Sequence, residues 1–113
     1  MVGRPGEDFL RTIHADIAIL GTHAITGGVL TETSLEVAAM KRAMIAAARR
    51  VVVLADNSKF TTPSFCTICN VSEIHEIITD ERIDPAHLAN LRTFDVAVRL
   101  APLTRSGSSL VHA

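Results

Sequence analysis

Tryptophan and tyrosine are absent from this chain, and phenylalanine occurs only four times in 113 residues. A core must therefore be built from Val, Ile, Leu, Ala and Met, within an apolar fraction of 48%. The length suits one domain of ordinary size. Few aromatics also means few stacking platforms for single-stranded nucleic acid. No charge sign is in excess: 11 Lys and Arg stand against 12 Asp and Glu, both scattered. The basic patch of a nucleic-acid footprint is missing. No apolar run approaches the length of a membrane span. The opening MVGRPGEDFL lacks the apolar stretch of a signal peptide. These absences lead to the expectation of a cytoplasmic chain with no membrane partner, in which Cys66 and Cys69 are reduced thiols.

What is present alternates. GRPGEDFLRTIHA reads as a short first helix, with Pro5 suited to a first turn and Phe9, Leu10 and Ile13 on one face. DIAILGT is a strand, apolar on both sides as a central parallel strand is. HAITGGVLTET reads as a glycine-containing loop. Residues 34–49 form the strongest helix, with Val37, Met40, Met44 and Ala47 at helical spacing and Arg49 and Arg50 at its cationic end. VVVLAD is a second buried strand, SFCTICN a short strand or extended segment, and EIHEIITD a third strand around Ile77 and Ile78. Asp84 and Pro85 start a further helix. FDVAVRLAP closes as a strand with one face toward water, and TRSGSSLVHA is a polar tail. This order predicts an α/β domain over residues 1–103, a mostly parallel sheet flanked by helices, followed by the tail 104–113.

In such sheets ligands sit beyond the carboxyl ends of the strands. Three segments leave those ends: GTHAITGG, ADNSKF and TDERI. Lys59 is there either an anion binder or a solvated turn lysine. Asp56 follows five apolar residues and needs a partner, which Lys59, a turn N–H or a ligand hydroxyl can supply. Gly21, Gly27 and Gly28, with Thr22 and Thr26, allow a close backbone approach to an anion, but their spacing is neither a Walker loop nor GxGxxG. His23 is the one histidine in that first loop. Glu36 is a candidate base, yet TSLE places Thr33 and Glu36 as a capping box. Lys41 is a surface charge or a second anion contact. Cys66 and Cys69 form a CxxC without the second ligand pair or the helix start that zinc or redox chemistry wants, so both are read as core residues with no metal and no cofactor.

The combination of KRAMI, VVVLADNSKF and ITD resembles the C-terminal effector-sensing domain of DeoR-family bacterial transcription repressors, most strongly over residues 14–82. The resemblance implies the fold of ribose-5-phosphate isomerase and CoA transferases, a phosphorylated sugar as effector, and no enzyme activity. It implies DNA contact only through a helix-turn-helix absent from this chain, and a homo-oligomer. It marks Asp16, Gly21, Lys41, Asp56, Ser58, Lys59 and Asp80 as site positions, joined by Thr22 and His23 from the first loop. Two departures stand out. The DNA-binding portion and the earlier half of the sensor are not in this sequence, so a half-built site or a pure interaction module is an alternative. The related isomerases carry a Glu directly before the helix lysine. Here Met40 precedes Lys41, which removes the proton-shifting base and weakens an isomerase-like alternative.

Overall fold

The computed structural model describes residues 14–103. The helix expected before residue 14 and the polar tail from residue 104 lie outside the described residues. In chain order the elements are β1 (Ala15–Gly21), β2 (Ala24–Thr26), β3 (Val29–Glu32), α1 (Leu35–Ala47), β4 (Ala48–Leu54), β5 (Cys66–Asn70), β6 (Glu76–Asp80), α2 (Pro85–Leu91) and β7 (Ala97–Ala101). Short 3₁₀ turns cover Asn57–Lys59 and Val71–Glu73.

Two sheets form. The first has the order β1-β4-β6-β7, and every pairing in it is parallel. This is the expected α/β sheet. Its central strand β4 buries Val51, Val52 and Val53 consecutively, the mark of a strand covered on both sides. Leu20, Val53 and Ile77 stand side by side in register and turn to the core. Along β1 the alternate residues Ile17 and Ile19 point the other way and are 54% and 60% exposed.

The second sheet was not expected. HAITGGVLTET is not a loop but a hairpin: β2 and β3 pair antiparallel, and β5 adds to β3 in the order β2-β3-β5. Its cause is local. Gly27 and Gly28 take φ of 57° and 85°, the left-handed pair that a tight two-residue hairpin turn demands. Ala24, Ile25 and Leu30 are then drawn into the core. Gly28 has a second constraint, because a Cβ there would stand 2.8 and 2.9 Å from Cε2 and Cε1 of Phe94.

α1 packs on β1, β3, β4 and β5, with Ala38 fully buried and Met44 and Ile45 against the core. Its start differs from expectation. Ser34, not Thr33, is the N-cap, and its Oγ accepts the Val37 N–H at 3.3 Å, while Glu36 is exposed. The helix also stops at Ala47, so Arg49 and Arg50 belong to β4 rather than to a helix terminus. Arg50 bonds Glu76 at 2.8 Å, and Arg99 bonds it at 2.7 Å from the opposite neighbour strand. These bonds hold the Glu76 carboxyl below its ordinary pKa. Asp84 caps α2 as expected, accepting the Ala86 N–H at 2.8 Å ahead of Pro85.

Both cysteines are buried core residues of β5. Burial, with a smaller push from the Glu73 charge, raises the Cys69 thiol to about 11. The histidines nearest them in sequence are engaged elsewhere: His75 Nδ1 accepts the Val51 N–H at 2.9 Å, and His87 stacks on Phe60.

Candidate functional site

A cleft of about 480 Å³ opens at the carboxyl ends of β1, β4 and β6. Parallel strands leave their last carbonyls and first loop residues at one edge, and all three strands deliver polar residues there. From β1 come Gly21, Thr22 and His23; from β4, Asp56 and Lys59; from β6, Thr79 and Asp80. Glu32 of β3 and Lys41 of α1 close one wall, and Leu54, Ala55, Ile78, Ala101 and Leu103 supply the apolar surface.

The polar groups fall into tied and untied sets. Lys41 Nζ donates to Glu32 Oε1 at 2.5 Å and to the Gly21 carbonyl at 2.8 Å. Glu32 also accepts the Thr33 N–H at 3.2 Å. This pair is largely buried, and it pins α1 to the ends of β1 and β3. Thr22 is buried and donates its hydroxyl to the Thr31 carbonyl at 3.0 Å. His23 is exposed, with Nδ1 on the Ser64 hydroxyl.

The ADNSK segment is a capped turn. Asp56 Oδ1 accepts the Ser58 N–H at 2.8 Å and the Ser58 hydroxyl. Of the partners that the sequence allowed Asp56, the turn N–H is the one realised. The turn is anchored from the side by Asp80, which accepts the Asn57 main-chain N–H at 2.7 Å, the Asn57 side-chain amide at 3.0 Å and the Arg82 N–H at 2.9 Å. Burial pushes the Asp80 carboxyl up, but the bonds from Asn57 and Arg82 outweigh it, and the group is held below its ordinary pKa.

Two groups stay untied. Lys59 lines the cleft half-buried, and its ammonium has no hydrogen-bond or ion-pair partner among the described residues. Thr79 also lines it, is 3% exposed, and its Oγ1 is the buried side-chain polar atom without a partner among the described residues.

The structure thus brings Gly21, Thr22, His23, Lys41, Asp56, Lys59 and Asp80 together. Asp16 and Ser58 are not brought in. Asp16 lies exposed near the amino end of β1, a strand's length from the cleft, and Ser58 faces Asp56. Glu32 and Thr79 were missed from sequence. Glu32 was hidden because the hairpin that carries it was read as loop. Thr79 looks like any strand threonine, and only its missing partner sets it apart.

The protein-family comparison matches residues 1–81 to the DeoR C terminal sensor domain. The HTH-type transcriptional regulator GlpR of Haloferax volcanii is 32% identical over 99 residues, covering 87% of this chain and 39% of that protein. A putative aga operon transcriptional repressor of Escherichia coli O157:H7 is 37% identical over 100 residues, covering 87% and 37%. The HTH-type transcriptional repressor GlcR of Bacillus subtilis is 37% identical over 71 residues, covering 63% and 28%. The chain therefore spans less than half the length of each of these relatives, and within that span it belongs to the DeoR C-terminal sensor domain family.

Proposed function

We propose that the cleft is the effector site of a transcriptional repressor's sensor domain, and that its effector is a phosphorylated sugar or polyol. The observation that carries this is Lys59. A half-buried ammonium at the carboxyl edge of a parallel sheet, left without a partner among the described residues while its neighbour Lys41 is already paired with Glu32, awaits an anion. Gly21, Thr22 and His23 form the opposite lip, and Asp56 stands ready to accept a ligand hydroxyl on its free oxygen. A Haemophilus influenzae relative, 28% identical over 82 residues, is named as a glycerol-3-phosphate regulon repressor, which fits a small hydroxylated phosphate.

Binding without turnover suits the carboxylates. Glu32, Asp56 and Asp80 each already accept a hydrogen bond from the protein, and the residue before Lys41 is Met40, not an acid. Operator contact is assigned to a part of the repressor other than the described residues, which hold two sheets and the helices α1 and α2. The test is a thermal-shift panel of glycerol 3-phosphate, glucose 6-phosphate, fructose 6-phosphate and inorganic phosphate, beside the unphosphorylated sugars. Stabilisation by at least one sugar or polyol phosphate, and none by the free sugars, is expected. Equal response to phosphorylated and free sugars would refute it.

A further inference from the structure

We propose that Thr79 is a specificity residue of this cleft: its hydroxyl bonds a hydroxyl of the effector while Lys59 holds the phosphate. This inference rests on the effector reading above and goes further, assigning a second contact to a residue not otherwise linked to binding. Two independent orphans share one cleft. Among the described residues, Lys59 is a cation without a counter-charge and Thr79 Oγ1 is a buried hydroxyl without any partner. A buried hydroxyl left unbonded carries an uncompensated desolvation cost. On that ground valine, the same shape without the oxygen, is the better residue for a strand position that is 3% exposed. The threonine is explained if the partner arrives with the ligand.

Its described neighbours offer it no other bond. Thr79 sits on β6 opposite Leu100 of β7, an apolar side chain. The next residue, Asp80, is occupied by Asn57 and Arg82. The other buried hydroxyl on the cleft wall, Thr22, already bonds Thr31. Oγ1 is itself shielded, so the contact is made on a turned side chain: one step of roughly 120° about χ1 carries the hydroxyl to another staggered position. The ligand class follows. A polyol or sugar phosphate carries a phosphate for Lys59 and a carbon-borne hydroxyl for Thr79 in one molecule, whereas inorganic phosphate carries no such hydroxyl.

The experiment compares the parent chain with Thr79→Val, Thr79→Ser and Thr79→Ala. Each is measured by calorimetric titration with glycerol 3-phosphate, glucose 6-phosphate, fructose 6-phosphate and inorganic phosphate, and by unliganded melting temperature. Thr79→Val is expected to melt no lower than the parent. It should lose about three- to tenfold in affinity for the sugar or polyol phosphate that the parent binds best, with inorganic phosphate unchanged. Thr79→Ser should stay within about twofold of the parent, and Thr79→Ala should show the same loss of selectivity as Val. A lower melting temperature for Val with selectivity intact means the hydroxyl has a partner inside the protein, and overturns the assignment. So does equal selectivity in parent and Val at any melting temperature. If the parent binds none of the four, the effector reading fails and takes this inference with it; if the parent discriminates and Val does too, only the role of Thr79 falls.

Discussion

Lys41 on α1 and Glu32 at the end of β3 form an ion pair at 2.5 Å, and the Gly21 carbonyl takes a second proton of the same ammonium. The two lysines of the cleft therefore have different duties. One joins three elements; the other faces the cavity, unpaired among the described residues. A neutral substitution separates them. Lys41→Met leaves Glu32 and its charge in a largely buried position, and breaking such a pair costs about 3 kcal/mol. Lys59→Ala removes no hydrogen bond or ion pair among the described residues and should leave stability within about 0.5 kcal/mol. Urea unfolding of the two variants checks this, and equal losses would show that the division is wrong.

Asp80 makes stability depend on acid. Its pKa is depressed in the folded chain, so its contribution is fully present above the unfolded value of about 3.9 and is lost as pH falls through the folded one. Glu76, depressed by Arg50 and Arg99, acts in the same direction. Asp80→Asn cannot accept the same set of N–H bonds and should cost about 1–3 kcal/mol at neutral pH. The gap between parent and variant should narrow below about pH 4. Melting curves from pH 7 to pH 3 measure it; a gap independent of pH would deny the carboxylate its role.

The adjacent glycines of the hairpin should respond unequally. Both have positive φ, but nothing lies within 4 Å of a Cβ at Gly27, whereas at Gly28 it meets the Phe94 ring. Asparagine tolerates left-handed backbone. Gly27→Asn is therefore expected to melt close to the parent, and Gly28→Asn several degrees lower, for a cost of about 1–3 kcal/mol. Matching melting temperatures would mean that Phe94 yields.

Self-association is expected through β1. Purely parallel sheets are normally covered on both faces, and this one presents Ile17 and Ile19 at its edge, more than half exposed. Light scattering should give a mass above that of one chain, and Ile17→Lys with Ile19→Lys should reduce it. A single-chain mass for the parent at high concentration contradicts the expectation.

The parallel sheet was legible because buried runs such as VVVLA and the intervening helix speak directly of a strand covered on both faces. The second sheet was not, because two of its three strands are only three and four residues long and turn on a Gly-Gly pair that also marks loops. In the candidate site, Lys59, Asp56 and the first loop were readable from their place after strands, and Asp80 from the family resemblance. The Glu32–Lys41 pair was not, since it joins residues nine positions apart through a hairpin end and a helix. The orphan state of Thr79 is a fact of three-dimensional packing that a sequence position does not carry.

The central claim is that Lys59 is the anion contact of an effector site, and calorimetric titration of Lys59→Ala tests it most directly. The ligand is whichever of glycerol 3-phosphate, glucose 6-phosphate or fructose 6-phosphate stabilises the parent. Loss of one charge-assisted hydrogen bond, about 1.5–3 kcal/mol, should weaken binding about ten- to a hundredfold with the fold intact. Lys59→Arg should recover only part of it, because a planar fork does not reproduce a compact ammonium on a tight turn. An alanine variant that binds the same phosphate as tightly as the parent would contradict the account, leaving Lys59 a solvated turn residue.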